Sequence, residues 1–189
     1  MAYLALAFLG PFGVTLGDEP VSGLQSPRLQ ALLAYLAVEG DRKHARRALA
    51  DMIWPNRPEG EALEALRYAL SNLRTAIGDR EADPPFLHIT RTTLRFNPAS
   101  DVTLDVQRFH QQIAAAESSF EERTAIDALE SAVALYRGEF LEDLFLPDAV
   151  EFEEWVLIQR ELLARQMAST LRRLAIFHER EGAYHAAQN

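Results

Sequence analysis

The sequence has no cysteine among its 189 residues, which excludes disulfide bonds and thiolate metal sites. Its apolar opening, MAYLALAFLGPFGV, has no basic flank before it and is interrupted by Gly10 and Pro11, unlike a signal peptide. The same stretch is far too short to span a membrane. A glycine-rich phosphate loop of the Walker type is missing, and no set of catalytic side chains stands at a useful spacing. We therefore expect a cytoplasmic protein that is not an enzyme and uses no cofactor.

Near the end of the chain stand four side chains of types that bind zinc: His178, Glu179, Glu181 and His185. Small residues around Gly182 have the spacing of a tetratricopeptide turn, which would place these four side chains on either side of that turn. A zinc site needs donors that converge on one point. We expect solvated polar residues here rather than a metal site.

Positive charge is scarce overall: the chain has 19 Lys and Arg residues but 28 Asp and Glu residues, which gives a formal net charge of −9. The deficit is uneven along the chain. Residues 1–100 carry 11 basic and 11 acidic residues, whereas residues 101–189 carry 8 basic and 17 acidic residues. The net charge therefore combines a neutral first half that has local clusters with an acidic second half. This asymmetry predicts two units with different partners.

The first half has the element order of a winged helix-turn-helix with an N-terminal sheet. Alternating apolar residues predict short strands in the first 25 residues, and SPRLQALLAYLAV predicts a helix with Ser26 as N-cap and Pro27 at its first position. A short helix closing at Trp54-Pro55 and the helical segment EALEALRYALSNLRTAIGD follow. FLHITRTTLRFNP then predicts a hairpin with RTT at its tip. Strands, three helices and a hairpin in this order indicate the winged fold.

The second half is predicted to be nearly all helix, with candidates at about 105–116, 121–137 and 149–180. The last candidate is long enough for two helices run together. YRGEFLEDLFLPD is the main break, where Gly138 is expected to end a helix and Phe140 and Leu141 to dock the turn. Apolar side chains of the last segment are expected to form core between helices: Phe152, Trp155, Ile158 and Leu162.

The segment EALEALRYALSNLRTAIGD has two different faces when it is wound as a helix. One face carries the leucines and is core. The opposite face carries Glu64, Arg67, Tyr68, Ser71, Asn72, Arg74 and Thr75. Arginine can form paired hydrogen bonds with guanine and asparagine with adenine, while the hydroxyl groups can bind phosphate oxygens. Taken alone, the face is also explained by a solvated surface, although it has one acid and no lysine, unlike a Glu/Lys surface.

Two neighbouring clusters favour DNA as the partner of this face. RKHARR, at the N-terminal end of the preceding short helix, places Lys43, Arg46 and Arg47 where a first helix crosses the DNA backbone. The hairpin carries Arg91 at its tip and Arg95 on its outward face, as a wing entering a minor groove would. The three clusters follow the order that a DNA-binding winged helix requires.

The sequence resembles the SARP-type regulators of antibiotic pathways and their larger ATPase-containing relatives, which join an OmpR-like winged helix to a bacterial transcriptional activation domain. The resemblance covers essentially the whole chain and rests on SPRLQALLAYLAV, RRALADMIWP, ALRYALSNLRTAIGD, AVALYRGEFLEDL and Trp155. It implies a mainly α fold with small β sheets. The winged helix would occupy residues 1–98, and an all-α, tetratricopeptide-like activation domain, truncated at its end, would occupy residues 101–189.

The same resemblance implies sequence-specific binding to double-stranded promoter DNA and recruitment of RNA polymerase. The recognition-helix role would fall on Arg67, Tyr68, Ser71, Asn72, Arg74 and Thr75. Polymerase subunits or downstream domains of the same chain are the expected partners of the acidic half, and no membrane partner is expected. The protein would lie on the nucleoid when bound, with a homodimer on DNA as one arrangement.

A protein-interaction scaffold whose winged helix no longer binds DNA is the alternative. The family usually has a basic residue where Asn72 stands, often another at Thr75, and often glycine at the wing tip in place of RTT. These departures and the zero net charge of the first half favour the scaffold. DNA binding requires the basic side chains to share one face: Lys43, Arg46, Arg47, Arg67, Arg74, Arg91 and Arg95.

Overall fold

The computed structural model describes the backbone of residues 3–188 and the side chains of residues 3–180. Its helices are α1 Pro27–Val38, α2 Arg46–Ile53, α3 Glu59–Ala76, α4 Asp105–Ser118, α5 Glu122–Leu135 and α6 Val150–Gln188. Its strands are β1 Leu4–Ala7, β2 Gly13–Leu16, β3 Glu19–Pro20, β4 His44–Ala45, β5 Leu87–Ile89, β6 Thr93–Phe96 and β7 Val102–Leu104. The fold is mainly α with two small sheets, as predicted. None of the described helices has the length and apolar character needed to cross a membrane.

The N-terminal sheet has the strand order β3-β2-β1-β7. β1 is antiparallel to β2, with Leu4 opposite Leu16, and parallel to β7, with Leu4 opposite Val102. Leu6 and Leu104 are buried where these strands meet. Strand β7 was not predicted, because its three residues are held by a partner almost a hundred positions away and carry no periodic pattern of their own. The first sheet is therefore completed by residues from the second half of the chain.

Helix α1 begins after Ser26 as predicted, with Pro27 in its first turn, but the expected side-chain cap is absent. The backbone N–H groups of Leu29 and Gln30 donate to the Ser26 carbonyl oxygen at 2.9 and 3.1 Å. Because that carbonyl already satisfies the Leu29 N–H group, the Ser26 hydroxyl is not needed there.

The wing is a three-stranded sheet of order β4-β6-β5. Leu87, Leu94 and Phe96 point into the core as the hairpin pattern predicts. The prediction that RKHARR begins a helix is wrong for its middle, since His44 and Ala45 pair with Leu94 and Thr93 as strand β4. Helix α2 therefore begins only at Arg46. Burial against Tyr35 and a 2.9 Å contact from the His44 ring to the Glu39 carbonyl oxygen hold this strand in place.

Helices α4 and α5 pack side by side, and α6 packs against α5. The turn predicted at Gly182 is not formed, because α6 runs unbroken over 39 residues to Gln188. A single glycine costs a helix only about 1 kcal/mol relative to alanine, which helix-forming neighbours can offset. The inward face of α6 is formed by Phe152, Val156 and Leu163, with Trp155 half-buried beside them. Ile158 and Leu162 are exposed, contrary to prediction, because they lie to one side of this stripe, beyond the half-buried Trp155.

The segment between α5 and α6 joins the two halves of the chain. Its backbone extends the end of β1: the N–H of Leu141 donates to the Phe8 carbonyl at 2.8 Å, and the N–H of Gly10 donates to the Glu139 carbonyl at 3.1 Å. A Cβ atom on Gly138 would stand 3.2 Å from the Cα of Gly10, so this close approach favours glycine. Phe140 and Leu141 are fully buried, which confirms the predicted docking.

Trp155 makes the second connection between the halves. Its indole N–H donates to a Glu39 carboxylate oxygen at 2.9 Å. Its ring meets Tyr35 of α1 and Phe140 edge-on, at centroid distances of 5.0 and 5.6 Å. One hydrophobic core runs from the winged helix into α6 through these contacts. The helices of the first half therefore share one core with α6.

Candidate nucleic-acid interface

Helix α3 presents most of the predicted recognition residues to solvent. Its inward face is fully buried and consists of Leu66, Leu70 and Leu73, with Ala62. The outward face carries five of the six predicted residues, all exposed or mostly exposed: Arg67, Tyr68, Ser71, Asn72 and Thr75. The Arg67 guanidinium lies 5.4 Å from the Tyr68 ring centroid, so these two side chains form one exposed unit.

Arg74 has a different environment from the other predicted recognition residues. Its Nε donates to Oδ2 of Asp79 at 2.6 Å, and the Asp79 side chain is 0% exposed. The other Asp79 oxygen accepts the backbone N–H of Leu87 at 2.8 Å. Arg74 therefore connects the end of α3 to the start of β5. Sequence reasoning missed Asp79, and the only signal available was an acid directly after the glycine that ends the helix.

We expect Arg74→Ala to lower the free energy of unfolding by about 1–3 kcal/mol, because it leaves the buried Asp79 carboxylate without its ion-pair partner. The full cost of breaking a buried pair is reduced by the 34% exposure of the Arg74 side chain. Urea unfolding followed by circular dichroism measures this change. Arg67→Ala is the matched control: its partner Glu64 is 58% exposed, so stability should change by no more than about 0.5 kcal/mol. Equal stability of the two variants would contradict a structural role for Arg74.

The N-terminal end of α2 lies between α3 and the wing. The Arg47 Nε is 2.5 Å from a carboxylate oxygen of Glu59 in the first turn of α3. Arg46 reaches the other way, donating from its guanidinium to the Thr90 carbonyl of the wing at 3.2 Å. The predicted backbone-contacting residues therefore form a bridge between the recognition helix and the hairpin tip, where Arg91 is exposed.

Strand register brings Lys43 and Arg95 together in the wing. His44 pairs with Leu94 in this antiparallel pair, so Lys43 stands beside Arg95. Together with His88, Thr90 and Thr93, they line an open cavity of about 340 Å³. Sequence reasoning missed His88, although its alternation with Leu87 and Ile89 already placed it on the outward face.

Acidic residues balance several of these arginines. Glu39 pairs with Arg42, Glu59 with Arg47 and Glu64 with Arg67, at distances of 2.5 to 3.1 Å. Glu59 and Glu61 stand in the first turn of α3, where the helix dipole favours acids. The charge on the α3 side of the surface is therefore largely compensated within the protein.

The four candidate zinc ligands of the sequence lie in the last part of α6. Within the described residues, no three His, Asp or Glu side chains are grouped so that they could hold a metal ion. His178 Nε2 lies 3.8 Å from a Glu130 carboxylate oxygen. The side chains of Glu181 and His185 lie outside the described residues.

Comparison with known families assigns the helical half of the chain. Residues 104–189 match the family described as bacterial transcriptional activator domain. This match starts at the last residue of β7 and covers α4, α5 and α6. The fold and this match together define a protein with a winged helix ahead of a domain of the bacterial transcriptional activator type.

The transcriptional regulatory protein EmbR is similar to this chain in both sequence and fold. EmbR from Mycobacterium bovis and from two strains of Mycobacterium tuberculosis is 31% identical over 173 residues, which cover 85% of this chain and 42% of EmbR. The structure of Mycobacterium tuberculosis EmbR in complex with low affinity phosphopeptide matches with a TM-score of 0.78 and 25% identity, over 98% of this chain and 48% of that one. The chain thus spans less than half the length of these relatives. Over this shared length the chain resembles transcriptional regulators, and its residues 104–189 match a bacterial transcriptional activator domain.

Proposed function

We propose that the winged helix of this regulator binds double-stranded promoter DNA in a sequence-specific manner. Helix α3 would lie in the major groove, the N-terminal end of α2 would contact the backbone, and the wing would reach the adjacent minor groove. The exposed face of α3 carries the proposal: its residues can donate to base edges and to phosphates, and a rigid leucine face supports it from behind.

Specificity is proposed to depend on the middle of that face. Arg67 can form two hydrogen bonds with guanine and Asn72 two with adenine, and both side chains are exposed. Tyr68, Ser71 and Thr75 can contribute hydroxyl groups to phosphates nearby. Arg74, paired with Asp79, is proposed to hold α3 against the wing rather than to read a base.

The acidic helical half is proposed to contact protein rather than DNA. Its excess of acidic residues repels the phosphate backbone. RNA polymerase subunits, downstream domains of the same chain or a second protomer on DNA are the candidate partners. The packing of α6 against α1 through Trp155 would transmit their position to the winged helix.

Fluorescence polarisation with a labelled duplex from the promoter region upstream of this protein's own coding sequence tests the DNA proposal. A shuffled duplex of equal length and composition is the reference. We expect tighter binding to the promoter duplex, and Asn72→Ala should reduce that preference by about 1–3 kcal/mol if Asn72 contacts adenine. Ser118→Ala, on the activator half, is the control and should leave the preference unchanged. Equal affinity of the wild-type protein for both duplexes would contradict sequence-specific binding.

A protein-interaction scaffold whose winged helix does not bind DNA is the second candidate function, and one observation favours it. Arg47 and Arg67, two of the predicted DNA-contacting residues, are engaged by Glu59 and Glu64. DNA binding must replace these ion pairs with phosphate or base contacts. Absence of binding to any duplex at low salt would favour the scaffold.

A further inference from the structure

The outward face of the wing sheet carries a row of basic side chains, one from each strand region. His88 on β5 is directly opposite Arg95 on β6, and Lys43 continues the register on the far side of Arg95. The alternation of side chains explains the row, because Leu87, Leu94 and His44 occupy the inward positions. The row lines the cavity of about 340 Å³, and the hydroxyl-bearing residues Thr90 and Thr93 border it.

Within the described residues, no side-chain hydrogen bond or ion pair engages Lys43, His88 or Arg95. No carboxylate lines the cavity either. This sets the row apart from Arg47, Arg67 and Arg74, each of which has an acidic partner. Among the predicted DNA-contacting residues, positive charge without an acidic partner therefore lies on the wing and at Arg46, which contacts the wing.

Arg95 also contains an unsatisfied polar atom. Its Nε is buried and has no hydrogen-bond partner, the only such side-chain nitrogen or oxygen in the described residues. A buried donor without a partner lowers stability, and such groups are rare in folded proteins. An anion bound by the rest of the guanidinium would offset this cost through its charge.

We propose that Lys43, His88 and Arg95 form a binding site for a single phosphate group of the DNA backbone. A tetrahedral oxyanion offers acceptors to an ammonium, an imidazole N–H and a guanidinium at once. The hydroxyl groups of Thr90 and Thr93 lie 2.8 Å apart and hydrogen-bond each other, which leaves one of them as a neutral donor. The site would fix the position of the wing on the duplex and would not discriminate between sequences. His88 is the positioning residue that the sequence alone did not indicate.

The inference rests on the proposed DNA binding, and its test separates the two. Lys43→Ala, His88→Ala and Arg95→Gln are compared with the wild-type protein on a duplex in which single phosphates are replaced, one at a time, by neutral methylphosphonates. Arg172→Ala, which removes an exposed positive charge from α6, is the control. Thermal melting confirms that each variant is folded, and Lys43→Ala, at an exposed position, decides the test if Arg95→Gln does not fold.

We expect each wing variant to weaken binding to the promoter and shuffled duplexes alike, by roughly fivefold. Lys43→Ala and Arg95→Gln, which remove a positive charge, should also make the salt dependence shallower, by at most about one unit because the site binds one phosphate. Neutralising one particular phosphate should weaken binding by the wild-type and control proteins, and should have a clearly smaller effect on each of the three variants, which have already lost one ligand of that phosphate. If the wild-type protein binds and the variants respond to every methylphosphonate as it does, the site is refuted while DNA binding stands. If the wild-type protein binds no duplex, the proposed function fails and the site fails with it.

Discussion

The affinity of the protein for its promoter is expected to fall on the order of 10³- to 10⁴-fold between about 50 and 200 mM salt. This follows from about five to eight phosphate contacts, each of which releases counterions from the duplex. The contacts would come from the wing, the N-terminal end of α2 and the hydroxyl groups of α3. Since the acidic half repels DNA at low salt, it reduces the affinity without adding contacts.

Fluorescence polarisation titrations at four or more salt concentrations give the slope of log affinity against log salt. A slope of about −4 to −7 corresponds to the predicted number of contacts. The control is Arg123→Ala, on the activator half, where the arginine is paired with Asp127 at 3.0 Å. It should leave the slope unchanged. A wild-type slope shallower than about −2 would mean two contacts or fewer and would favour the scaffold.

Asp105→Ala is expected to lower the free energy of unfolding by about 2–5 kcal/mol, because it leaves buried N–H groups unsatisfied. Its Oδ2 accepts the backbone N–H groups of Phe8 and Leu9, at 2.7 and 2.8 Å, and its Oδ1 accepts the N–H of Val106 at 2.8 Å. Arg137 lies 3.4 Å from the same carboxylate. One buried side chain therefore joins the end of β1 to the first turn of α4.

Burial raises the pKa of the Asp105 carboxyl above its ordinary value, and the backbone hydrogen bonds and Arg137 offset part of that rise. The folded state therefore holds this proton more tightly than the unfolded chain. This group's contribution to stability grows as pH falls through the folded pKa and is complete below the unfolded pKa. This pH-dependent contribution is absent near neutral pH, where the hydrogen bonds from Phe8, Leu9 and Val106 still stabilise the fold.

Urea unfolding of the Asp105→Ala variant and of the wild-type protein measures the decrease in the free energy of unfolding. Asp127→Ala is the matched control, since Asp127 is an exposed acid on α5 that pairs only with Arg123, and its change should stay within about 0.5 kcal/mol. A loss for Asp105→Ala no larger than that of the control would show that water replaces the carboxylate at the β1 end.

The parts of the fold that sequence predicted correctly are those whose pattern is local. The leucines of α1 and α3 repeat at helical spacing, and Leu87, Leu94 and Phe96 alternate through the hairpin. Strands β4 and β7 were missed because two or three residues carry no period, and only pairing with β6 and β1 makes them strands. The prediction of a turn at Gly182 was wrong for a different reason. It gave one glycine more weight than the helix-forming residues around it, and α6 continues through this position.

For the candidate site, too, the sequence predicts some properties of the residues and not others. The helical spacing of the sequence already places five side chains opposite the leucine stripe and so predicts their exposure: Arg67, Tyr68, Ser71, Asn72 and Thr75. The partners of the arginines do not follow from position alone. Arg67 and Arg74 occupy similar places in the sequence pattern, yet one meets an exposed glutamate and the other a buried aspartate.

The sequence by itself determined the inward and outward faces of α1 and α3 and the location of the acidic charge, because periodicity and composition are properties of the chain. Only the tertiary structure decided that Arg74 holds Asp79, that Asp105 joins the two halves, and that Lys43, His88 and Arg95 share one cavity. Each of these depends on residues brought together across strands or between halves. Burial and register, which set the strength of a charged contact, exist only once the chain has folded.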